Sequence, residues 1–82
     1  MMIKYYFTKD KTSRSRTGGT NYRFVVYKVV RGDLKSFGTF KINTASYYGD
    51  EPSVHRFIAK KEGYQLTKFN RIKRKDVKVK WL

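Results

Sequence analysis

The sequence predicts a small α+β domain, an antiparallel β-sheet of three to five strands with one α-helix packed on one face, in the order β-β-β-α-(β)-β. Four segments carry strand patterns, either alternating apolar and polar residues or dense in β-branched and aromatic ones. A single segment has helical spacing. The 82 residues contain no linker and no internal repeat, so residues 1–82 form one domain of two layers.

The first strand is "IKYYFTK" (3–9), in which Ile3, Tyr5 and Phe7 alternate with Lys4, Tyr6 and Thr8. Residues 10–21, "DKTSRSRTGGTN", hold no apolar side chain and predict a long basic loop. "YRFVVYKVV" (22–30) is the strongest strand, apolar enough on both faces for a central position. Arg31-Gly32-Asp33 is a turn, with Gly32 suited to positive φ, and "LKSFGTFKI" (34–42) returns as the third strand of a hairpin.

The helix follows. Asp50 is placed to cap it, Glu51 and Pro52 suit its first turn, and Val54, Phe57 and Ile58 fall at i, i+3 and i+4. Gly63 is its stop, with Lys60 and Lys61 in the last turn. A short strand around 66–72 is optional, since Leu66, Phe69 and Ile72 do not alternate. Residues 76–81 do alternate. Val77, Val79 and Trp81 make the basic terminus a strand rather than a loose tail.

Charge points to the partner. Twenty Lys and Arg face six Asp and Glu, a net charge of +14. Residues 50–64 hold three cations and three acids, whereas residues 65–82 hold seven cations and one acid. The helix is therefore neutral and everything else basic, which predicts a polyanionic partner, most simply nucleic acid. The absence of Cys removes disulfides and thiolate metal sites and favours the cytoplasm. No apolar run approaches the roughly 20 residues of a membrane span, so no membrane partner is expected.

If the helix covers Ile3, Tyr5 and Phe7, the same side takes Phe24, Val26, Leu34, Phe40, Ile42, Val77, Val79 and Trp81. The open face then shows Lys4, Tyr6, Arg23, Val25, Tyr27, Lys35, Phe37, Thr39, Lys41, Lys78 and Lys80, with no acid among them. Cations neutralise phosphates, aromatic rings stack on unpaired bases, and a sheet can lie in the major groove of a duplex. Arg14 and Arg16 in the loop, with Lys73, Arg74 and Lys75 in the "KRKD" turn, are further candidates for backbone contacts. Singly, such residues serve cross-strand pairing or edge protection; as a set they favour binding.

Catalytic constellations are lacking. His55, the only histidine, reads as an exposed helix residue without a second metal ligand. The acids fall at loops and helix ends, where turns and capping explain them. Arg31-Gly32-Asp33 reads as a turn, not as a cell-adhesion motif. The expectation is a non-enzymatic binding domain without cofactor or metal, with duplex DNA favoured over single strands or RNA. Its order of three strands and then a helix is similar to that of the arm-binding domains of mobile-element integrases, which lay a sheet in the major groove; the additional basic strand departs from it. Double-stranded-RNA-binding modules begin with a helix and fit less well. The rival is a small phage- or plasmid-type inhibitor or accessory protein that grips an acidic surface of a host protein.

Overall fold

The structure is a computed structural model that describes every residue except 1, 15, 17 and 45–48, and only the backbone of Ser13 and Arg14. Its elements are β1 (Ile3–Arg14), β2 (Thr20–Val30), β3 (Asp33–Asn43), α1 (Asp50–Glu62) and β4 (Val77–Trp81). They form one four-stranded sheet in the order β3-β2-β1-β4, with α1 on one face. The α+β class and the β-β-β-α-β order hold. The two hairpin pairings are antiparallel, but α1 carries the chain back across the sheet and β4 joins β1 in parallel, so the sheet is mixed.

The strands β1 and β2 run further than the sequence predicts. Residues assigned to a loop pair as strand out to Arg14 and from Thr20, with an irregularity between Lys11 and Ser13. Lys11 and Thr12 are exposed, so no dry face exists there to leave an alternating signature. At the other end of β2, Arg31 and Gly32 both have positive φ (54° and 82°), the requirement of the two-residue turn whose twist matches a hairpin.

A β-bulge in β3 redirects several side chains. Val26 pairs with Gly38 but Tyr27 pairs with Ser36, which leaves Phe37 as the extra residue. Phe37 and Lys35, expected on the open face, therefore belong to the helix side. The Phe37 ring packs edge-on against Tyr5 at 5.3 Å and against Phe57 at 6.0 Å. Lys35 stands opposite Lys28, whose ammonium reaches the helix. Leu34, expected inside, pairs with Val29 and turns outward, 46% exposed. One inserted residue inverts the parity of all that precede it.

Tyr5, Phe7, Phe24, Val26 and Val77 from the sheet, Val54, Ile58 and Ala59 from α1, and Ile72 form the buried core. Phe40 stacks between Phe24 and Phe57, 4.8 Å from each, and extends the core toward β3. Asp50 is the first helical residue rather than the cap; the N-cap is Gly49, with no side-chain capping bond. Asp50 instead pairs with Lys9 at 2.9 Å. Gly63 closes the helix in the left-handed conformation, as predicted, and its N–H donates to the Ala59 carbonyl.

His55, read from the sequence as exposed, is buried. The chain after α1 folds back along the helix, and the Ile72 N–H donates to His55 Nδ1 at 3.0 Å. The optional strand at 66–72 is a tight turn closed by one bridge, Leu66 to Ile72. Trp81 lies on the helix side against Phe7, ring centroids 4.4 Å apart, and is half exposed because β4 is an edge strand. The basic terminus is a strand.

Candidate nucleic-acid interface

The sheet register sets the candidate face row by row, because directly paired residues share a side. Lys78 and Lys4 are side by side, and the next row runs Lys80, Tyr6, Tyr27, Ser36 across all four strands. Beyond it come Thr8, Val25 and Thr39, then Asp10, Arg23 and Lys41. Seven of the predicted binding residues therefore meet on it, Lys4, Tyr6, Arg23, Tyr27, Lys41, Lys78 and Lys80, together with Val25 and Thr39.

The face is not free of acid, as the sequence implied. The extension of β1 brings Asp10 onto it, where Arg23 approaches at 3.4 Å. Both partners are half exposed, so the pair adds little stability but offsets the charge of Arg23. Lys4, Lys41, Lys78 and Lys80 have no carboxylate partner among the described residues.

The helix side shows the opposite arrangement. Lys9 pairs with Asp50, Lys28 with Glu62 at 2.8 Å, and Arg71 with Glu51 at 2.6 Å. The three acids that make α1 neutral thus meet cations facing the helix. The buried Tyr5 donates from its hydroxyl to the same Glu62 oxygen at 2.7 Å. Hydrogen bonds from Lys28 and Tyr5 hold the Glu62 carboxyl below its ordinary pKa, while burial, helped by Tyr64 and Glu62, pushes the Tyr5 phenol up. Burial, reinforced by the charge of Arg71, lowers His55.

The remaining candidates lie at the margins. Arg16 is exposed in the turn between β1 and β2; Arg14 ends β1, with its side chain outside the described residues. In the turn before β4, Lys73 and Lys75 are exposed. Arg74 instead forms a two-pronged pair with Asp76 (2.9 and 2.6 Å) and sits over the Tyr64 ring. That pairing lowers the Asp76 carboxyl and raises the Arg74 guanidinium.

One exposed aromatic escaped the sequence reading. Phe69, 70% exposed, tops the turn 67–71, where Thr67 Oγ1 accepts from the Phe69 and Arg71 N–H groups. Asn70, at φ 59°, was the available signal, because Asn tolerates the left-handed conformation that tight turns require and here falls in a non-alternating segment. Among the described residues no three potential metal ligands gather, and no helix is long and apolar enough to cross a membrane. Comparison with protein-family models, curated proteins and solved structures finds no match.

Proposed function

We propose that this chain is a non-enzymatic, cytoplasmic nucleic-acid-binding domain that lays the open face of its sheet on duplex DNA. The carrying observation is the sorting of charge: the acids of α1 pair with cations that face the helix, while Lys4, Lys41, Lys78 and Lys80 on the other face have no carboxylate partner among the described residues. Four strands spaced at about 4.8 Å place the outer two about 14 Å apart, close to the roughly 12 Å width of a major groove. Tyr6, Tyr27 and Arg23 on the central strands would then face base edges, as in the integrase arm-binding domains. Lys78 and Lys80 on β4 and Lys41 on β3 would lie along the two phosphate walls.

Titrating labelled duplex DNA, single-stranded DNA and duplex RNA at several salt concentrations tests the proposal. Log affinity for the duplex should fall against log salt with a slope of about 0.9 per phosphate contacted. Lys80→Gln and Lys41→Gln should each reduce that slope by about 1. No binding to any nucleic acid at low salt would end the DNA reading. The second reading, an acidic protein surface, is favoured by the exposed Leu34, which pairs with Val29 on the lysine face and adds apolar contact area to it. It predicts a partner retained from lysate after nuclease treatment and lost on Leu34→Ser.

A further inference from the structure

The seam between β1 and β4 holds an arrangement that the fold alone does not call for. Parallel pairing sets Lys4 directly beside Lys78 and puts Lys80 beside Tyr6, two residues further along the same face. Like charges side by side on neighbouring strands oppose strand pairing. None of the three ammonium groups has a carboxylate within ion-pair reach to relieve this, among the described residues. Edge protection accounts for lysines on β4, but Lys4 is on β1, which is interior to the sheet. With Met2, Tyr5 and Tyr6 the three lysines line a hollow of about 180 Å³.

We propose that this hollow is an anion site for a terminal phosphate monoester, the phosphorylated end of a nucleic-acid strand. The inference rests on the nucleic-acid reading and narrows it. A monoester carries a charge of about −2 near neutral pH and three terminal oxygens, one for each ammonium. An internal diester carries a single negative charge and must keep a sugar on both sides of the phosphorus. The confined hollow suits the end of a chain better than its middle, and Met2 and the Tyr6 ring give the adjoining sugar an apolar wall.

The test compares duplexes that differ only in carrying phosphate or hydroxyl at their ends, with inorganic phosphate as the small-anion probe. The phosphorylated duplex should bind roughly tenfold more tightly, the gain from about one extra charge-assisted hydrogen bond. Inorganic phosphate should compete that difference away. The double variant Lys4→Gln/Lys78→Gln relieves repulsion and so should fold; it should erase the difference, whereas Lys41→Gln should weaken both duplexes and keep their ratio. Equal affinity for the two ends would overturn the terminal-phosphate site and leave the DNA reading standing. Binding of neither duplex, with inorganic phosphate still shifting the Tyr6 resonances of the wild type but not of the double variant, would overturn the DNA reading and support a site for small phosphate monoesters. No response to any of these probes would overturn both.

Discussion

Replacing Gly38 by Ala tests the packing that seats the helix on the sheet. A Cβ at this position would stand 2.7 Å from Phe57 Cζ, 3.2 Å from Phe57 Cε2 and 3.0 Å from Lys61 Nζ. The lysine can swing away. The Phe57 ring cannot, because Phe40 stacks on one side at 4.8 Å and Phe37 meets it edge-on at 6.0 Å. Relief must come from moving the helix or the bulged segment of β3, an overpacking that costs about 1–3 kcal/mol. The backbone at Gly38 has no positive φ, so Ala also stiffens the unfolded chain and recovers about 0.4–1 kcal/mol. The net expectation is a loss of about 1–2 kcal/mol. Urea unfolding followed by Trp81 fluorescence and by circular dichroism should show an earlier midpoint with an unchanged slope. Phe57→Leu should be less damaging in the Gly38→Ala background than in the wild type, because the two substitutions answer one contact. A Gly38→Ala midpoint equal to or above the wild type would refute the close approach of Phe57.

Three further outcomes follow from the buried polar groups and the seam. His55 is held neutral as the acceptor of the Ile72 N–H, and its pKa is lowered in the folded state, so the unfolded chain binds the proton more readily. Its contribution is complete above the unfolded value near 6.5 and is lost as pH falls through the depressed folded value. His55→Gln should flatten that part of the stability–pH profile in chemical denaturation. Tyr5→Phe removes the hydroxyl that donates to Glu62; it should cost about 1 kcal/mol and move the Glu62 pKa up toward its ordinary value, read by carboxyl NMR titration. Lys78→Gln should raise stability by about 0.2–1 kcal/mol, by removing a like-charge neighbour of Lys4, while weakening DNA binding in the same preparation.

The strands were legible wherever one face is dry and the other wet. Ile3, Tyr5 and Phe7, or Val77 and Val79, announce themselves because period-two alternation is the imprint of a half-buried strand. Beyond Lys9, Asp10, Lys11 and Thr12 are all exposed, so the pairing of this stretch with β2 left no such imprint. The bulge at Phe37 was hidden for another reason. Leu34, Phe37 and Phe40 are all apolar, and only the backbone register decides which of them turn in. His55 was misplaced because its burial depends on residues 64–76 wrapping the helix, a long-range contact that the helix stripe cannot encode. The direction of β4 was equally silent, since alternation is the same in parallel and antiparallel strands.

The charge pattern had a similar limit, and it bears most on function. Lys4 and Lys9 lie in the same strand, yet one faces the open side and the other faces Asp50, a difference of parity alone. A count of +14 treats them alike; the fold does not. Lysines beneath the helix sit partly shielded from water, where an ammonium needs a nearby carboxylate, and α1 supplies Asp50 and Glu62 for Lys9 and Lys28. Acids committed there do not reach the other face, so Lys4, Lys41, Lys78 and Lys80 keep their full charge on it. Water screens those cations well enough for the sheet to form, though at some cost where Lys4 and Lys78 adjoin. A polyanion laid on this face would turn that repulsion into attraction without disturbing the ion pairs behind it. Binding strength and fold stability should therefore respond in opposite directions to the same lysines, a relation that edge protection alone does not predict.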